Sequence, residues 1–268
     1  VIDLGRHDVL GVRVSAVDYD LAVEAVMAAA RDRRPFAMSA AASHVVMTGA
    51  HDPVQRHRLN SLDLLVPDGQ PVRWALNLLH RTGLKERVYG PELMLRLCAA
   101  AEREGIPIYL YGSNPPTLDP LREQLVRRFP MLHIAGMRAG RFRPLTREEG
   151  DELIAEVGTS GAGIVFVGLG CPRQEVFVYE QRARIGVPLV AVGAAFDMHA
   201  GRARQAPAAF QRHGFEWLYR LAHEPRRLWR RYLRLGPEYL ALVALQAAGI
   251  RRQDPDDTLA PTEETWVG

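Results

Sequence analysis

Apolar positions along this chain fall into two recurring patterns. Short runs dense in Val, Ile, Leu, Ala and Phe, at residues 9–14, 36–40, 63–66, 106–111, 132–137, 164–168 and 189–193, read as strands. Between them lie longer amphipathic stretches, at 19–33, 91–105, 116–129, 146–157 and 172–185, which read as helices. This alternation predicts an α/β fold, a Rossmann-like, mostly parallel sheet covered by helices. From about Gly201 the strand pattern stops. Residues 1–200 are expected to form the core and 201–250 a helical, arginine-rich appendage that meets membrane and acceptor; 251–268 (RRQDPDDTLAPTEETWVG) reads as an acidic, disordered tail.

The appendage carries the most distinctive pattern, GFEWLYRLAHEPRRLWRRY from Gly214, two helical blocks hinged at Pro225. On an α-helical wheel Arg227, Arg230, Arg231 and Arg234 share an arc of about 100°, with Leu228, Trp229, Tyr232 and Leu235 opposite. Guanidinium groups fanned over one face and backed by aromatic residues suit phosphate capture beside an apolar or membrane surface. A docking helix with a solvated basic face is the alternative.

Composition narrows the choice. With 47 % hydrophobic residues the chain can bury a large core, and a net charge of only +3 makes the clustering of arginine more telling than its amount. The two cysteines, Cys98 and Cys171, make no disulfide framework, and the nine histidines show no repeated ligand spacing, so neither metal nor cofactor is expected. Asp18-Tyr19-Asp20 resembles a D-x-D metal motif but precedes an amphipathic helix and reads as a cap. The opening VIDLGRHDVLGVRV has no basic-then-apolar signal, and the apolar run 239–250 is too short to span a bilayer. A cytoplasmic protein resting on the inner face of the membrane is expected.

Ligands of such sheets bind outside the carboxyl ends of the strands. Four of those ends carry informative residues. Pro67-Asp68-Gly69 delivers a carboxylate that either caps the next helix or acts as a general base. Gly112 and Ser113 open a small-residue turn, and Gly168-Leu169-Gly170 another, each offering backbone N–H groups to an anion; Gln174 follows in the first helical turn, with Glu175 facing the helix dipole. Asp197, in GAAFDMHAG, suits a ribose or a base, or caps a turn.

Together NSLDLLVPDG, ERVYGPEL, GLGCPRQE, VGAAFDMHAG and GFEWLYRLAHEPRRLWRRY resemble the WecG/TagA/CpsF family of bacterial glycosyltransferases, over about residues 37–232. The resemblance implies transfer of a hexose from a UDP-sugar to an undecaprenyl-diphosphate-linked saccharide, with inversion and without bound metal. By the same resemblance Asp68 is the base, Arg87 and Gln174 line the pocket, and Arg220, Arg227 and Arg230 close over the diphosphate. The family's T-x-N near the second strand is replaced by Ser39-Ala40-Ala41, ahead of His44. Ser39 keeps a hydroxyl, but Ala41 lacks the amide, so the donor is expected to differ from N-acetylmannosamine. The partners implied are donor, lipid-linked acceptor and membrane surface, with no nucleic acid and with room for a homo-oligomer. Three rivals compete. A nucleotide- or RNA-binding module lacks a stacking platform, a nicotinamide dehydrogenase lacks G-x-G-x-x-G, and a membrane scaffold leaves the four strand ends unexplained.

Overall fold

The computed structural model describes residues 1–207, 210 and 214–268, apart from the side chains of Arg227 and Arg231. An antiparallel hairpin, β1 (Asp3–Val9) and β2 (Val12–Val17), precedes the main sheet, where the sequence pattern predicts a single strand over 9–14. The reversal falls inside that apolar run, at Leu10 and Gly11, both at positive φ as a two-residue type I′ turn requires.

The main sheet is parallel throughout, in the order β4-β3-β8-β7-β5-β6: β3 (Phe36–Ala41), β4 (Leu64–Pro67), β5 (Ile108–Gly112), β6 (Ile134–Arg138), β7 (Ile164–Gly168) and β8 (Pro188–Ala191). The central strands are buried on both faces, which is why they read as continuous apolar runs rather than alternating ones. One face packs against α1 (Tyr19–Arg31), α5 (Gly90–Glu104), α6 (Pro115–Arg128) and α9 (Ala195–His199). The other face carries α2 (Ser43–His51), α3 (Pro53–Asn60), α4 (Gln70–His80), α7 (Arg147–Ser160) and α8 (Arg173–Ile185).

Beyond residue 214 come α10 (Glu216–His223), α11 (Pro225–Trp229), a π-helical turn (Arg230–Leu235) and α12 (Gly236–Ala247). The π turn corrects the wheel above: i→i+5 bonding advances each residue by less than 100°, so arginines on either side of Arg230 do not keep one α-helical register. The last helix belongs to the body. Tyr239 is fully buried in the core with its hydroxyl donating to the Pro71 carbonyl (3.3 Å), and Gln246 accepts from Leu10 N–H (3.0 Å).

The tail departs from the expected disorder. It forms no helix or regular strand, yet it lies along the body through specific bonds: Gln253 donates to the Ala50 carbonyl (2.9 Å), Asn60 to the Pro255 carbonyl (2.9 Å), and Arg58 to Thr265 (3.1 Å). Its acidic, proline-containing composition hides this, because the receiving surface is built from buried arginines and backbone carbonyls of α2 and α3 rather than an apolar stripe. Among the described residues no helix is long and apolar enough to cross a membrane.

Candidate active site

Asp68 is fixed by the meeting of two chain segments. β4 pairs with β3 so that Pro67 lies opposite Ala41, and the Asp68 N–H donates to the Ala41 carbonyl (3.1 Å). The side chain does not cap α4, whose N-cap is Gly69; its Oδ1 instead accepts from Gly90 N–H (2.9 Å), the first residue of α5. One oxygen is thus anchored at a helix N-terminus. Ala41, in the position of the missing asparagine, is fully buried in the core.

Around Asp68 sits a compact charge cluster. Arg87 pairs with Glu216 of α10 (2.5 Å), and its guanidinium lies over the Tyr89 ring (4.3 Å). The Tyr89 hydroxyl donates to the other Glu216 oxygen (3.2 Å), and Tyr89 N–H donates to the Tyr19 hydroxyl (2.9 Å). Burial works against the charge on Arg87, but Glu216 and Asp68 outweigh it and raise its pKa. Arg220 is likewise opposed by burial and raised by Tyr232, Glu216, Tyr89 and Glu224. Desolvation, then Glu216 and Asp68, push the Tyr89 phenol up, and desolvation pushes Tyr19 to about 12. Both tyrosines are therefore neutral near pH 7, and both arginines are charged.

Two cavities meet at this cluster. The larger, about 490 Å³, opens at the carboxyl ends of β3, β8, β7 and β5, four strands adjacent in the sheet. Ser113, Gly168, Gly170, Gln174 and Asp197 line it, with His44 nearby on its wall. The smaller, about 300 Å³, lies between the start of α4 and the segments from Gly214 to Leu240; Pro71, Trp217, Leu233, Pro237 and Leu240 give it a largely apolar wall, and Arg87 lines it. Asp68, Tyr89 and Arg220 border both.

Three of the residues named from sequence, Gly112, Ser39 and Arg230, stand elsewhere. Gly112 (φ +112°) is packed against Gly168, where a Cβ would stand 2.7 Å from a backbone carbon; its glycine serves strand packing behind the cavity. Ser39 is fully buried, and its hydroxyl donates to Glu175 (2.9 Å). Arg230 is exposed and stacks on Trp229 (5.3 Å). The side chain of Arg227 lies outside the described residues. The turn N–H groups are also engaged: Ser113 N–H bonds to the Gly168 carbonyl (2.9 Å) and Gly170 N–H to Gln174 Oε1 (3.2 Å). An anion reaching Gly170 must first turn the Gln174 amide away.

Sequence inspection missed Tyr89, Glu216 and the role of Glu175. Glu175 does more than face a helix dipole: it is fully buried, accepts from Ser39 and from Gln174 Nε2 (2.8 Å), and burial raises its pKa against those bonds. The Ser39–Glu175 contact joins residues 136 apart, which no local pattern reveals. For Glu216, an acidic residue opening an arginine-rich block was the one available signal. Among the described residues no three His, Cys, Asp or Glu side chains form a metal-holding group.

The sequence model of the glycosyl transferase WecG/TagA/CpsF family matches residues 7–253, leaving 254–268 outside. The chain therefore belongs to that family, a glycosyltransferase of cell-surface polysaccharide synthesis that takes a sugar donor and a lipid-linked acceptor.

Proposed function

We propose that this protein is an inverting hexosyltransferase that moves a sugar from a UDP-sugar to an undecaprenyl-diphosphate-linked saccharide at the inner face of the cytoplasmic membrane. The observation that carries this is the pair of cavities joined at Asp68, Tyr89 and Arg220. The strand-end cavity has the place and polarity of a nucleotide-sugar site in a parallel sheet. The second has apolar walls and arginine at its inner end, suited to a lipid diphosphate whose saccharide reaches the junction.

A single displacement fits this layout. The acceptor hydroxyl oxygen attacks the anomeric carbon while the Asp68 carboxylate takes its proton; the bond from that carbon to the donor phosphate oxygen breaks, and UDP leaves with the electron pair. Negative charge growing on the diphosphate is met by fixed cations, Arg220 on the shared wall and Arg87 beside it. Both guanidinium groups have carboxylates as neighbours, Glu216 and Asp68 for Arg87 and Glu216 and Glu224 for Arg220. Tyr89, neutral and pinned at both ends, keeps the Arg87–Glu216 pair in place.

The test is UDP release by purified protein in detergent, with a panel of UDP-hexoses and a lipid-diphosphate saccharide, with and without chelator. Acceptor-dependent release that survives chelator is expected, with a donor other than UDP-N-acetylmannosamine favoured because Ala41 carries no amide. Preference for UDP-N-acetylmannosamine would remove the argument from Ala41. Loss of release with chelator would remove the metal-free mechanism, and UDP binding with no turnover for any donor would favour a nucleotide-binding module.

A further inference from the structure

The β6–α7 connection brings one unusual residue to the larger cavity. Phe142 lines that cavity, beside Gly168 and Gly170 in the wall, and is 45 % exposed. It holds φ at +55°, a backbone region that a bulky side chain occupies only when its surroundings enforce it. Arg173 stacks on the ring (5.1 Å), and Arg143 pairs with Glu149 (2.6 Å). The other restraint comes from the far end of the tail. Leu145 N–H donates to the Trp266 carbonyl (3.2 Å), Pro144 and Val267 form an antiparallel bridge, and Gly268 N–H donates to the Arg143 carbonyl (3.2 Å). The tail thus adds a short edge to the loop on both sides of Pro144.

A second, independent feature shows that the body is shaped for this edge. Gly150 lies in the first turns of α7, where glycine weakens a helix relative to alanine. The Trp266 ring occupies the space a Cβ would need and would collide with one. Arg184 lies over the same ring (4.8 Å) and bonds Asp151 (2.5 Å). Upstream, Gln181 and Arg184 reach Glu264 and Arg58 reaches Thr265, so the strand-like edge is held on α8 and α3 as well as on α7.

We infer that Trp266 is a positioning residue for the donor cavity: seated on Gly150, it holds residues 266–268 against the β6–α7 loop and so fixes Phe142 at the cavity wall. Its effect on donor binding rests on the assignment of that cavity to the nucleotide sugar; its effect on the loop does not. The segment lies outside the family match.

Hydrogen exchange and UDP calorimetry on the full chain test it, with W266A, W266F, G150A and F142A. W266A and G150A should speed exchange at the Leu145 amide and its loop neighbours by about tenfold or more. They should also weaken UDP binding and raise donor KM by about fivefold, with kcat within about twofold. W266F should restore most of the loss, and W266A added to F142A should cost less than about twofold more, because the two act through one contact. Unchanged loop exchange in W266A overturns the inference, as does full additivity with F142A. So does a G150A protein that only gains Tm, the ordinary result of glycine to alanine in an uncovered helix. If the wild type fails to bind UDP while loop exchange responds as expected, the tail's hold on the loop stands and the UDP-donor assignment falls.

Discussion

Asp68 is the residue on which the proposed chemistry turns. One carboxylate oxygen is tied to Gly90 N–H, and the same side chain borders both cavities. Asp68→Asn retains the shape and the bond to Gly90 while removing basicity. It should cut turnover by about 100-fold or more with donor affinity little changed; turnover near wild type would assign the residue to positioning alone. Glu175 supplies a second residue-scale prediction, on stability. Its raised pKa means that the folded protein binds this proton more tightly than the unfolded chain. The stabilisation is complete below about pH 4.3, the ordinary glutamate value, and is lost as pH rises through the folded value. Wild-type Tm should therefore fall relative to Glu175→Gln as pH rises from about 4.5 to about 7. A difference that stays constant across that range would show that Glu175 does not titrate there.

At the scale of elements, the segments after Gly214 do two separable jobs. Helix α10 is tied to the core by Glu216, whose pair with Arg87 leaves each side chain only 11 % exposed. Breaking one partner of a pair so enclosed strands the other charge, so Glu216→Gln should cost about 1–3 kcal/mol of stability and loosen α10, as measured by thermal melts and by exchange over 216–223. Arginines of the same segments differ by position. Arg220 borders both cavities, whereas Arg230 is exposed on Trp229. Arg220→Ala should raise acceptor KM about tenfold or more, and Arg230→Ala by less than about threefold; equal effects would mean that Arg230 swings into the site. This contrast was invisible in the sequence because the resemblance assigned both arginines to the diphosphate, and their separation depends on how two different helical segments pack. The sheet, in contrast, was legible strand by strand, since doubly buried parallel strands carry unbroken apolar runs. Helix α3 was not, because its buried side includes Gln55, Arg56 and Arg58 and offers no apolar stripe. Residues of the strand-end motifs line one cavity, but the partners of Ser39 and Gly112 come from distant segments, Glu175 and Gly168, and only the folded chain identifies them.

At the scale of the whole molecule, the apolar-walled cavity opens beside an uncovered apolar surface. Trp217, Leu233 and Leu240 line it while remaining 39, 59 and 57 % exposed, so they form its rim rather than its floor. Arg226, Arg230 and Arg234 are exposed on the same segments. Under the proposed membrane contact, these apolar side chains would insert shallowly into a bilayer and the arginines of the same segments would meet anionic headgroups. Each element of that description has its own signature in vesicle flotation. Charge attraction should make binding to anionic vesicles exceed binding to neutral ones and weaken as salt rises from about 0.1 to about 0.5 M. Insertion should leave a salt-resistant fraction that Leu233→Ser with Leu240→Ser removes. Because both leucines are more than half exposed, that double variant should keep its fold and its Tm. Burying two leucine side chains in lipid amounts to about 3 kcal/mol or more, so the loss should be about 100-fold in vesicle affinity. Unaltered flotation of the double variant would place the membrane contact on arginine alone and make the apolar rim a wall for the acceptor's lipid chain.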